Sequence, residues 1–188
     1  MRHKYETRGI VLSRTSLGEA NASVALLTPD LGLVYARAQG VRRSGAKLAA
    51  SLATLAESSL VLVRGKESWR VAGAVLEENW FAHIKTCSRA RASRVSGLLL
   101  RLVAGETYDS TLFLIMTSFF KALTELPENN HAAAEILAVI RMLAVLGLDT
   151  GEIPGEQQLF TPSILDEITN ERARYIARIN CGITSSGL

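Results

Sequence analysis

Arg42, Arg43 and Lys47 fall within six residues of one another, in a stretch punctuated by Gly40 and Gly45, and Arg37 stands just before it. Side chains of this kind bind phosphate by charge, and the guanidinium adds a planar fork that matches two oxygens at once. Tyr35 lies two residues before Arg37, so on an extended chain both point the same way. An aromatic ring in that position offers a base a stacking platform. Arg64, Lys66 and Arg70 bracket a second turn and add to the same positive field. The competing reading is a solvated basic loop with Tyr35 packed in a core; the residues alone leave both open.

A second basic set lies further on. Residues 81–104 hold Lys85, Arg89, Arg91, Arg94 and Arg101 and no acid. At helical spacing Arg91 falls inside the apolar stripe, where a guanidinium is costly unless paired. It reads either as an ion pair with Glu77, Glu78 or an acid of the later half, or as the border of a groove that meets a ligand carboxylate or phosphate. Arg91, Arg94 and Arg101 are therefore candidates for contact with a partner protein. Met116, Phe119, Phe120, Met142 and Leu143 read as core, although a small bundle can leave a groove for a peptide's apolar side chains.

Catalytic signatures are missing. The chain has no phosphate-cradling glycine loop ending in Lys-Ser/Thr, no nucleophile elbow, no His-Glu-x-x-His and no paired carboxylates in a recognisable setting. Gly18-Glu19 and Glu77-Glu78 read as turn and surface charges. The expectation is a binding protein, not an enzyme. His3, His83 and His131 show no ligand spacing, and two cysteines fall short of a four-ligand site, so no metal and no cofactor is expected. Cys87 and Cys181 read as buried thiols in a reducing compartment. No apolar run approaches the roughly 20 residues of a membrane helix. The start of the chain is charged, and a cytoplasmic location is expected.

Elements must hold these residues in place. Alternation over 8–14 sets Arg8, Ile10, Leu12 and Arg14 against Gly9, Val11 and Ser13. An apolar run over 22–27 leads into Thr28-Pro29-Asp30-Leu31-Gly32, a turn in which Pro29 presets φ, Asp30 bonds its own backbone and Gly32 takes φ > 0. Residues 33–39 return as a strand with Leu33, Tyr35, Arg37 and Gln39 on one face and Val34, Ala36 and Ala38 on the other. Ala46–Ala53 adds a helical turn or two. Strands over 58–64 and 68–77 form a second hairpin, with Trp69, Val71 and Val75 sharing a face. Five such strands with a helical insert between the third and fourth predict a small Greek-key barrel of the OB type.

The period then changes from 2 to 3.6 residues. Helices are expected over 81–104, 109–126, 130–147 and from Pro162, capped by Thr161, to Gly182. Asp109 or Ser110 is the expected cap of the second helix, and residues 184–187 are expected to fray. The fold class is thus α+β, a five-stranded OB-type β-barrel over 1–80 followed by an α-helical bundle over 81–188. Charge divides the same way. Residues 1–104 hold 16 Lys+Arg against 7 Asp+Glu, and residues 105–188 hold 5 against 11, within a chain of 188 residues and net charge +3. A basic sheet suits a polyanion, nucleic acid or an anionic membrane surface.

Gly9-Ile10-Val11-Leu12, Gly18-Glu19, Leu27-Thr28-Pro29-Asp30-Leu31-Gly32-Leu33 and Ala38-Gln39-Gly40-Val41-Arg42-Arg43, with Lys47 following, resemble in order and spacing the RecO family of bacterial recombination mediators. The resemblance covers about the first 80 residues. It implies an N-terminal OB domain that binds single- and double-stranded DNA and anneals complementary strands. It also implies partnership with RecR, RecF and single-strand-binding protein, whose acidic tail such proteins contact while RecA is loaded. Carried over by position, Arg37, Arg42, Arg43 and Lys47 are the DNA contacts. Gln39 stands where the family usually has a basic residue, which removes one phosphate contact. The four-cysteine zinc module of many members has no counterpart here, and little chain separates the third and fourth helices. The alternative function is an adaptor of the same architecture whose barrel binds acidic protein segments without nucleic acid.

Overall fold

The computed structural model describes residues 3–41, 46, 48–65, 68–103, 105–106, 110–156 and 159–188. They form two compact units, residues 1–83 with 105–113 and residues 84–104 with 114–188.

The first unit is a five-stranded sheet: β1 (Lys4–Leu17), β2 (Asn21–Thr28), β3 (Gly32–Ala38), β4 (Ala56–Arg64) and β5 (Trp69–Asn79). The strands pair in the order β1-β2-β3-β5-β4, and β4 returns to β1, closing a barrel. Every pairing is antiparallel except β3 with β5, which is parallel and short. Alternate residues point inward, and Val11, Val24, Leu26, Val34, Leu60, Leu62 and Val71 fill the interior. Ala22, Ala36 and Ala38 keep it narrow where β2 and β3 pair. Leu52, from the segment between β3 and β4, joins this core. That segment turns through bonds such as Leu52 N–H to Leu48 O (3.1 Å), its described residues form no regular helix, and Leu55 ends it at φ 63°.

Two bulges move side chains away from strict alternation. Leu12 is the extra residue between the pairs Val11–Leu26 and Ser13–Ala25. Past it, Arg14 pairs with inward-facing Val24, so it leaves the face of Arg8 and Ile10. Its guanidinium lies 3.4 Å from the carbonyls of Val41 and Ala49 and 3.5 Å from that of Leu52. On β5 the register shifts between Val71 and Gly73, and Val75 consequently faces solvent, 66% exposed, instead of sharing the side of Trp69 and Val71. The β2–β3 turn also differs in its bonding. Buried Thr28 holds it, accepting the Leu31 N–H (3.0 Å) and donating to Gly32 O (3.1 Å), while Asp30 accepts the Thr7 hydroxyl (2.6 Å). Gly32 does take positive φ, 68°.

The expected helix over 81–104 is two helices, α1 (Trp80–His83) and α2 (Thr86–Leu102), with Ile84 and Lys85 between them. Then come α3 (Thr111–Glu125), a 3-10 turn (Glu128–Asn130), α4 (His131–Val145), α5 (Pro162–Asn170) and α6 (Arg172–Ser185). Ser110 is exposed and Asp109 lies outside the described residues. In the second unit α4 is the centre: it packs on α2, α5 and α6, and nearly every side of it is buried. A helix apolar around its circumference must be enclosed in this way. Thr161 precedes α5 with Pro162 at the first helical position, as expected. The last expected helix is broken at Glu171 (φ −101°, ψ 24°), and Gly182 does not end it; α6 continues to Ser185, past the point of expected fraying. Gly182 is buried because a Cβ there would lie 2.8 Å from Leu148 O and 3.1 Å from a Leu143 methyl. Met116, Phe119, Phe120, Met142 and Leu143 are core. Cys87 and Cys181 are exposed free thiols, contrary to their expected burial.

Candidate nucleic-acid interface

Parallel pairing of β3 with β5 sets Ala36 beside Trp69 and Arg37 beside Arg70. Ala36 and Trp69 face the core, so the next residue on each strand faces out, and two arginines from distant parts of the sequence stand side by side. Like charges placed opposite each other repel. Among the described residues neither arginine forms an ion pair with an acid. They line a groove of about 240 Å³ with Gln39, Val63, Gly65, Ser68 and Trp69. Tyr35 is outward on the same face of β3 and 53% exposed, which removes the core alternative for that ring. Its Cα is roughly 7 Å along the strand from that of Arg37.

Arg64 sits at the end of β4, opposite Trp69 in register. Its guanidinium lies 5.2 Å from the Trp69 ring centroid and bonds Glu106 at 3.2 Å. The same carboxylate accepts the Trp69 indole N–H at 2.8 Å. Arg64 is thus partly neutralised, which the residue pattern did not foretell. Arg42, Arg43, Lys47 and Lys66 lie outside the described residues. The structure therefore brings Arg37, Arg70 and Tyr35 to one outer face and puts Arg64 at the adjoining hairpin end.

The second basic set has a different fate. Arg91 bonds Glu135 at 2.7 Å, and Arg94 bonds the same carboxylate through two nitrogens, at 2.7 and 2.8 Å. The acid comes from α4, in the later, acidic half. Burial pushes the Glu135 carboxyl up, but the hydrogen bonds and charges of Arg94 and Arg91 outweigh it and hold it below its ordinary value. The Glu135 bond likewise raises Arg94. Arg91 and Arg94 still border a groove of about 340 Å³ within this unit, floored by Val95, Leu98, Ile136, Val139 and Ile179, with Arg172 on its edge. Arg101 is exposed on the last turn of α2.

Some buried polar residues were not singled out from the sequence. Glu57 is 2% exposed; it pairs with Arg8 and accepts the Trp80 indole N–H at 2.9 Å. Ser88 Oγ lies 2.5 Å from His131 Nδ1, and His131 Nε2 is 2.9 Å from Leu126 O, tying α2 to α4 through buried atoms. Arg141 on α4 is buried with its guanidinium 5.0 Å from the Phe160 ring centroid; burial lowers it to about 10. A polar residue within an apolar helical pattern is the only hint such sites leave in a sequence. No group of His, Cys, Asp and Glu suited to a metal ion occurs among the described residues. No described helix is long and apolar enough to cross a membrane.

Residues 1–79 match the family described as Recombination protein O N terminal. The chain is 32% identical over 123 residues to a DNA repair protein RecO of Dehalococcoides mccartyi, a match covering 64% of this chain and 48% of that protein. A DNA repair protein RecO of Heliobacterium modesticaldum is 31% identical over 157 residues, 79% of this chain and 56% of the relative. One of Rubrobacter xylanophilus is 28% identical over 170 residues, 85% and 67% respectively. The chain spans about half the length of the curated relatives it matches. The family match and these relatives agree: residues 1–79 belong to the RecO N-terminal family, and the similarity to RecO proteins continues into the helical unit.

Proposed function

We propose that this chain is a non-enzymatic DNA-binding mediator of repair and recombination, whose barrel is an OB-type fold that takes single- and double-stranded DNA along β3 and β5. The observation that carries the reading is the in-register pair Arg37–Arg70, with Arg37 exposed and Arg70 half-buried in a groove and neither with an acidic partner among the described residues. Side-by-side guanidinium groups cost energy in the free protein and regain it when phosphates lie between them. Tyr35 supplies a stacking surface on the same face, and Gln39 an amide where a further cation would strengthen binding. Arg42, Arg43 and Lys47 extend the field from the loop after β3, and Lys66 from the β4–β5 turn, by their place in the chain.

Neutralising the phosphates of two strands removes the main barrier to their meeting, so annealing of complementary strands follows from the same charge. The helical unit supplies the protein contact. Its groove has an apolar floor and an edge of Arg91, Arg94 and Arg172, which suits the acidic tail of single-strand-binding protein, and Arg101 lies further along α2. RecR and RecF are the further partners in this reading. The protein acts in the cytoplasm at the nucleoid and helps load the recombinase on coated DNA.

The test is an anisotropy titration of labelled single-stranded DNA across a salt series. Arg37→Ala with Arg70→Ala is expected to weaken binding about tenfold or more and to flatten the salt slope by about 1.4, two phosphates at roughly 0.7 each. Equal slopes for variant and wild type would remove these residues from the interface. An acidic peptide that binds the barrel while DNA does not would instead establish the adaptor function.

A further inference from the structure

Glu106 lies in the connection between α2 and α3, yet it belongs to the same compact unit as the barrel. One of its oxygens accepts the Trp69 indole N–H at 2.8 Å, and the other meets Arg64 at 3.2 Å. Trp69 also lines the groove of Arg37 and Arg70. Anchoring the indole requires an acceptor, not a charge: a neutral amide oxygen would serve as well. The negative charge is therefore surplus to the anchor, and it is delivered to the one described cation at the groove's hairpin end. Arg64 remains 58% exposed and is held through one nitrogen, so its guanidinium fork is not saturated. A phosphate offers the bidentate geometry that Glu106 does not use.

We propose that Glu106 is a built-in competitor for phosphate: it occupies Arg64 in the free protein and must release it before that arginine joins the DNA contacts. The proposal rests on the DNA reading above and adds a regulation to it. Arg37 and Arg70 make the first contacts, and Arg64 engages only when a strand extends to the hairpin end and displaces the carboxylate. Wild-type affinity is thereby held below what the positive residues would give alone, which favours release and transfer of strands over tight storage.

Four proteins decide the matter in the same anisotropy titration: wild type, Glu106→Gln, Arg64→Ala and the double variant. Glu106→Gln keeps the acceptor for Trp69 and is expected to tighten single-stranded DNA binding about three- to fivefold, with a salt slope steeper by about 0.7. Arg64→Ala alone is expected to weaken binding less than twofold, because in wild type the phosphate contact of Arg64 is offset by the loss of its bond to Glu106. In the double variant the gain disappears. Trp69→Phe, which keeps the ring and removes the donor, should give a smaller gain in the same direction. Thermal melts establish that each variant is folded. Binding that Glu106→Gln leaves unchanged, or a gain that survives loss of Arg64, overturns the competitor while leaving the DNA reading in place. Absence of DNA binding in wild type and Glu106→Gln alike overturns both.

Discussion

Arginine has two uses in this molecule, and the surroundings of each guanidinium separate them. Arg178 donates to Asp149 through two nitrogens, at 3.0 and 2.5 Å, and to Glu152 O at 2.7 Å, and its side chain is largely covered. The Arg178 hydrogen bond holds the Asp149 carboxyl below its ordinary value. Such an arginine fixes the loop before α5 to α6, with all three of its nitrogens engaged. Asp149→Ala leaves that cation without its partner and is expected to cost about 3 kcal/mol in urea denaturation. A loss below about 0.5 kcal/mol would show the pair to be solvent-screened. Arg37 and Arg70 are the opposite case: outward-facing, adjacent and without an acidic ion-pair partner among the described residues. The residue types are identical in the sequence, so their roles were legible only as alternatives. Arg91 shows this well, since the stripe position demanded a partner but left open which one.

Elements act here through close approach and through clamps between helices. Gly182 is interior to α6, where alanine would ordinarily gain about 1 kcal/mol of helix propensity. Its missing Cβ makes room for the Leu148 carbonyl, a backbone atom that cannot move aside cheaply. Gly182→Ala is therefore expected to destabilise by about 1 kcal/mol net, the overpacking exceeding the propensity gain; a higher melting temperature would contradict this. The α2–α4 clamp through Glu135 has a pH signature. Its carboxyl is depressed in the folded state, so the stabilisation is complete above the unfolded value and is lost as pH falls through the folded one. Glu135→Gln is expected to be less stable than wild type at neutral pH and to lose less on acidification below the ordinary carboxylate range. Parallel curves for the two proteins would refute the clamp. The break of the long basic helix at Ile84 and Lys85, and that of the last helix at Glu171, had no glycine or proline to announce them.

At the scale of the whole molecule, charge is partitioned along the chain, with the positive excess in residues 1–104 and the negative in 105–188. The four arginines proposed as contacts, Arg37, Arg42, Arg43 and Arg70, predict a slope near −3 in log affinity against log salt for single-stranded DNA. Affinity should therefore fall roughly 50-fold between 50 and 200 mM salt. A slope shallower than about −1 would leave too few phosphate contacts for this interface.

Composition and periodicity were enough to reveal a basic strand-rich part, an acidic helical part, the turn around Pro29 and the shared strand face of Tyr35, Arg37 and Gln39, though not that it faces outward, because these follow from local rules of spacing and turn chemistry. The parallel meeting of β3 with β5, the bulges that turned Arg14 and Val75, and the reach of Glu106 to Trp69 and Arg64 depend on residues far apart in the chain. Only closure of the barrel decides which distant side chains become neighbours, since register between strands is a property of the packed sheet and not of either strand alone.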